Sequence, residues 1–127
     1  MPKIIKTKNA PEAAGPYSQA LLADSFLFCS GQLGIDPESN LLLEGGTQEQ
    51  AEQAMKNIGA VLREAGMDYC NIIKSTIYLR EMSEFGKVNA LYSSYFTEPY
   101  PARSCVAVKE LPKNALVEIE VIAFKHV

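Results

Sequence analysis

The sequence predicts an α+β fold, a mixed β-sheet with two helices packed on one face. The hydrophobic period changes along the chain between two residues and the helical spacing, in the order β-β-β-α-β-α-β-β. Each helical segment lies between strands, which favours helices gathered on one side of a sheet. Apolar residues make up 47% and charged residues 21% of the 127 positions, the make-up of an ordinary globular chain with a core. That length favours one domain, residues 1–127.

Residues 4–6 can open the sheet, and residues 9–16, with two prolines and a glycine, read as a loop. Residues 19–23 and 26–33 are strand-like, and Asp24-Ser25 between them suits a two-residue hairpin turn, though without the preferred glycine. Residues 34–46 form a long connection containing Asp36-Pro37 and Gly45-Gly46. Thr47 and Gln50 fit a capping box, in which each side chain satisfies a backbone donor at the helix start. Ala51, Ala54, Met55, Ile58, Val61, Leu62 and Ala65 then recur on one stripe, and Gly66 ends the first helix.

Residues 72–79 are rich in β-branched and aromatic side chains and read as a strand. Ser83 is placed to cap a second helix with the stripe Phe85, Val88, Tyr92 and Tyr95-Phe96. Pro99 and Pro101, which lack amide donors, stop it. Residues 103–109 and 116–125 are the last two strands. In the final one Val117, Ile119, Val121 and Ala123 share a face, and Glu118, Glu120, Ile122 and Phe124 share the other. Two helices cover only one side of the sheet. Ile122 and Phe124 on the uncovered side would invite association, so a homo-oligomer is expected.

Several function classes fall away. The net charge is -3 and the twelve basic residues are scattered, whereas a general nucleic-acid binder presents a basic stripe. Cys29, Cys70 and Cys105 are odd in number and contain no CxxC pair, and the lone histidine is the penultimate residue, His126. No disulfide framework and no transition-metal centre is expected from that set. The start of the chain lacks a long apolar stretch, and no apolar run approaches membrane-spanning length. A reducing, cytoplasmic setting fits.

No Ser/His/Asp set, dinucleotide fingerprint or phosphate-binding loop is present. What remains unusual is Arg103 in Pro101-Ala102-Arg103-Ser104-Cys105, and Glu118 and Glu120 in Val117-Glu118-Ile119-Glu120-Val121. A guanidinium fork grips a carboxylate with two parallel hydrogen bonds; the plainer alternative for Arg103 is a surface ion pair. The two glutamates line either a wet or interface face or, if that face meets a cleft, a site. Cys105 has no base near it in sequence and reads better as a small hydrophobe than as a nucleophile. Arg103, two residues away on the same strand face, would act to lower its pKa.

Gly15-Pro16-Tyr17-Ser18-Gln19, Ser30-Gly31-Gln32, Val88-Asn89-Ala90-Leu91-Tyr92 and the two strings just quoted occur in that order and at compatible spacing along nearly the whole chain. Together they resemble the RidA (YjgF-type) family of 2-iminobutanoate/2-iminopropanoate deaminases. The resemblance implies a chorismate-mutase-like fold and a homotrimer with sites in clefts between subunits. By position it implies that Arg103 binds the substrate carboxylate, that Glu118 holds the hydrolytic water with Glu120 as runner-up, and that Tyr17 stands beside the substrate. It also implies that Gly31 and Cys105 line the pocket through backbone groups and that Asn89 supports it.

The implied substrate is a small 2-imino acid, hydrolysed to a 2-keto acid and ammonia without metal or cofactor. A guanidinium nearby would keep Glu118 ionised. The connection 97–100 is short beside some family members, which bears on substrate size. A carboxylate-binding trimer without turnover, and a holdase-like or RNA-processing interaction protein, are the alternative functions.

Overall fold

The structure, a computed structural model, describes residues 1–126. Seven strands, β1 (Lys3–Ile5), β2 (Ala20–Ala23), β3 (Phe26–Cys29), β4 (Gln32–Leu33), β5 (Ile72–Leu79), β6 (Ala102–Ala107) and β7 (Val117–Phe124), form one sheet. Their order is β1-β2-β3-β7-β5-β6, with β4 also paired to β7. Only β5 and β6 run parallel. A parallel neighbour needs a crossover, and helix α2 (Phe85–Ser93) supplies it. The sheet is therefore mixed, as its sequence predicts.

Helix α1 (Thr47–Glu64) lays the expected stripe on this sheet. Ala51, Ala54, Met55, Ile58, Val61 and Leu62 are each at most 1% exposed, and they join Val117, Ile119, Val121 and Ala123 of β7 in one core. Each large aliphatic side chain buried this way is worth about 1.5–3 kcal/mol relative to exposure. Tyr92 of α2 enters the same core and donates from its hydroxyl to buried Ser75 of β5 at 2.9 Å. Both helices thus occupy one side of the sheet.

Three local expectations are corrected. The cap of α1 is not Thr47 with Gln50: Gly46 precedes the helix, and its N–H donates to Glu49 Oε1 at 2.9 Å. Gln50 is buried instead, and its Oε1 accepts from Leu116 N at 2.8 Å, where it holds the entry to β7. Ser83 lies within a 3-10 turn, Met82–Glu84, and does not cap α2. That helix ends at Ser93, ahead of Pro99 and Pro101, and Tyr95 and Phe96 pack beyond it against Tyr69 and Tyr92.

The third correction matters for function. Residues 26–33 are two strands, not one. Phe28 pairs with Ile122 but Gln32 pairs with Ile119, so one extra residue stands on this side of the ladder. The resulting bulge at Ser30-Gly31 reverses which side chains face the helices: Phe28 is 48% exposed whereas Gln32 is buried.

Gly34 follows where α1 crosses the sheet edge. A Cβ there would stand 2.5 Å from Gln50 Cα and 2.6 Å from Gln50 O, and helix backbone cannot yield as a side-chain tip can. Gly34→Ala is expected to cost about 1–3 kcal/mol by overpacking. A urea titration should show a lower midpoint at an unchanged slope.

Candidate active site

The uncovered face of the sheet carries one half of the polar chemistry. Strand alternation in β7 sends Glu118 and Glu120 there. The bulge brings Gly31 beneath Glu118 so closely that a Cβ on Gly31 would overlap Glu118 Oε2 and stand 2.8 Å from its Cδ. Tyr17 arrives on the loop before β2, a loop tied down by buried Gln19. Gln19 Oε1 accepts from Thr7 N at 2.8 Å, and its Nε2 donates to Pro11 O at 2.8 Å and to Thr7 O at 3.1 Å. Tyr17 itself is 53% exposed, and its hydroxyl accepts from Ala14 N at 3.2 Å.

Tyr17, Gly31, Glu118 and Glu120 line a cleft of about 540 Å³, together with Glu12 and Lys113. Burial, and after it the charge of Glu120, push the Glu118 carboxyl above the usual carboxylate range. The Tyr78 hydroxyl donates to Glu120 Oε1 at 2.6 Å, and this bond pushes the Tyr78 phenol up to about 12.

The helix-covered face carries the other half. Arg103 is in register with Ser75, which is in register with Val121, so all three point to the helices. Arg103 Nη1 donates to Asn89 Oδ1 of α2 at 2.6 Å. The guanidinium carbon stands 5.1 Å from the Tyr92 ring centroid and 5.5 Å from that of Phe85, a cation–π cradle. Arg103, Asn89 and Tyr92 line a second cavity of about 470 Å³ with Ser93, Tyr100 and Pro101. Cys105 shares their side and packs on the core. Burial pushes its thiol up despite the opposing pull of Arg103, so the thiol stays protonated at neutral pH.

Arg103 and Glu118 therefore lie on opposite faces of the sheet within one chain. Among the described residues of the protomer no guanidinium stands beside Glu118, where burial dominates; the neighbour expected to keep it ionised would have to come from another subunit. The physical reason is parity. Strand side chains alternate with a period of two, and the β5–β6 and β5–β7 registers give Arg103 the parity of Val121 rather than of Glu118.

Sequence patterns missed three contributors. Phe85 and Tyr92 counted as apolar stripe, and Tyr78 as an ordinary strand residue. Tyr78's place on the uncovered face follows from alternation, but its partner requires the register. Among the described residues no group of three or more His, Cys, Asp or Glu is placed to hold a metal ion, and no helix is long and apolar enough to cross a membrane.

One mixed sheet with two helices on one side and polar clusters on both faces defines a class of small α+β proteins. The chain belongs to the RidA family. The family model that matches it covers residues 7–125 and is described as Endoribonuclease L-PSP. Two similar relatives are named 2-iminobutanoate/2-iminopropanoate deaminase. The Bos taurus protein is 50% identical over 121 residues, spanning 95% of this chain and 88% of the relative. The Homo sapiens protein is 45% identical over 123 residues, spanning 97% and 90%. Among solved structures, a protein of the Rid family from Yersinia pestis superposes with a TM-score of 0.95 at 46% identity, covering 98% of this chain and all of the other. E. coli TdcF with bound serine superposes with a TM-score of 0.92 at 38% identity, covering 97% and 98%.

Proposed function

We propose that this protein is a 2-iminobutanoate/2-iminopropanoate deaminase, working as a chorismate-mutase-like homotrimer in the cytoplasm. The observation that carries the assembly is the division of the site. A cleft with both a cation for the substrate carboxylate and a carboxylate for water needs Arg103 of one subunit and Glu118 of the next. The uncovered face also offers the apolar surface for association: Ile4 is 65%, Leu21 37%, Phe26 40% and Phe28 48% exposed, and they continue the row of Ile122 and Phe124 across β1, β2, β3 and β7. Patches of this kind mark interfaces. The relatives' names and the serine held by TdcF support a small amino-acid-derived substrate.

In this scheme Arg103 clamps the carboxylate of a 2-imino acid, steadied by Asn89 and the two aromatic rings. Tyr17 and Gly31 of the adjoining subunit close the other wall, Cys105 contributes backbone beside Arg103, and Glu118 holds a water against C2. Water adds to the C=N bond of the iminium and Glu118 accepts its proton; Glu118 then returns that proton to the carbinolamine nitrogen, and the C–N bond breaks as the hydroxyl proton passes to the departing ammonia, giving the 2-keto acid, ammonium and the free carboxylate of Glu118. The iminium carbon is already electron-poor, and orientation supplies much of the rate. Because Glu118 acts ionised, activity falls as pH drops and its carboxylate takes up a proton.

The test generates 2-aminoacrylate or 2-aminocrotonate in place from serine or threonine with a dehydratase and follows imine decay. Wild type should speed decay, and Arg103→Ala should return it to the rate without protein. Equal decay in all three, with the protein folded and oligomeric, would move the assignment to a carboxylate-binding protein without turnover.

A further inference from the structure

Two carboxylates share the uncovered-face cleft, and a third side chain tells them apart. Tyr78 sits directly opposite Glu118 in the β5–β7 register, yet its hydroxyl reaches to the neighbouring position and donates to Glu120 Oε1. Among the described residues no side chain donates to Glu118, whose carboxylate rests against Gly31. We propose that Tyr78 is a positioning residue that ties down Glu120 and so leaves Glu118 as the carboxylate free to hold water. The proposal rests on the deaminase reading of the site.

Alternate residues on one strand face lie within about 7 Å of each other, so Glu118 and Glu120 both border the same cleft and either could orient a water. A 2.6 Å hydrogen bond from a phenol to a carboxylate is short and charge-assisted. It takes one oxygen of Glu120 and fixes the direction of the whole group. The anion so fixed adds to burial in raising Glu118. The other titratable groups facing this cleft are Tyr17 and Glu12 from the first loop and Lys113 from the turn before β7. In the proposed trimer, Arg103 of the partner subunit faces it as well. Both helices lie on the opposite side of the sheet and present no charge here.

Wild type, Glu118→Gln, Tyr78→Phe and the double variant decide the matter. Glu118→Gln should lower kcat by about 100-fold, the usual scale for a lost proton acceptor. Tyr78→Phe should cost only a few-fold in kcat and leave KM nearly unchanged, because Glu118 keeps its place against Gly31. Tyr78→Phe added to Glu118→Gln should recover about tenfold by freeing Glu120 to take over part of the role. A double variant no faster than Glu118→Gln overturns the proposal, since a merely structural tyrosine gives no rescue.

A second readout does not depend on turnover. In a crystal structure of Tyr78→Phe the Glu120 carboxylate, released from the phenol, should leave its wild-type position, and an unmoved Glu120 overturns the proposal. Absence of imine hydrolysis by wild type would instead strike the deaminase reading, with the position of Glu120 in that variant still deciding what Tyr78 does.

Discussion

Two inactive variants regain activity when their subunits are mixed: this is the expected result for Arg103→Ala and Glu118→Gln. Each alone removes one half of every cleft and should lose at least about 100-fold in rate, the scale of a missing orienting or proton-accepting group. In mixed trimers formed by co-expression at equal amounts, a site at which one subunit supplies arginine and the next supplies glutamate is intact. Every cyclic trimer that holds both variants has one such site among its three, so trimers purified for both should show roughly a third of wild-type activity. If a single chain furnished both groups, every site would lack one of them and mixing would restore nothing. Differently tagged subunits, purified through both tags, verify that the trimers are mixed. A mass near three times 13.9 kDa verifies their size.

Gly31→Ala should abolish most activity while leaving the protein folded. The added Cβ collides with Glu118 Oε2 and crowds Cδ and Cγ, the far end of a flexible side chain. The carboxylate can swing aside at small cost in stability, but it then leaves the position that holds the water. Displacement of a reacting group by about 1 Å costs on the order of 100-fold, so kcat should fall by at least that much. KM should move little, because the proposed carboxylate clamp, Arg103, belongs to another subunit in the proposed trimer. Shortening the acid, as in Gly31→Ala with Glu118→Asp, should recover part of the loss. An unaltered kcat in Gly31→Ala would mean that the carboxylate is not held where the reaction needs it. The contrast with Gly34 is instructive: there the added carbon meets helix backbone, and the penalty falls on stability instead.

Much of this molecule is legible in the residue pattern. The 3.6-residue stripe from Ala51 to Leu62 allows only an amphipathic helix with that face inward. The alternation from Val117 to Phe124 allows only a strand with an apolar side and a side bearing Glu118 and Glu120. The unusual residues Arg103, Glu118 and Glu120 also stand out against an otherwise ordinary composition. Errors fell where competing local interactions decide. Thr47 and Gln50 have the spacing of a capping box, but Gln50 finds a better partner in the Leu116 amide across the fold, and Glu49 takes the capping role. Residues 26–33 read as one strand, because a bulge that adds a single residue leaves the local hydrophobicity unchanged.

The sequence by itself determined the alternation of strands and helices, the mixed α+β class, the buried stripe and the identity of the polar residues, since periodicity and residue chemistry are local properties. Only the tertiary structure decided which of those residues meet. Strand order and register set Arg103 on the helix-covered face and Glu118 on the uncovered one, placed Gly31 under a carboxylate, and joined Tyr78 to Glu120. Those relations depend on pairings between residues as far apart in the chain as Gln32 and Ile119. In a sheet a shift of one residue in any pairing moves a side chain to the other face, so no reading along the chain can supply them.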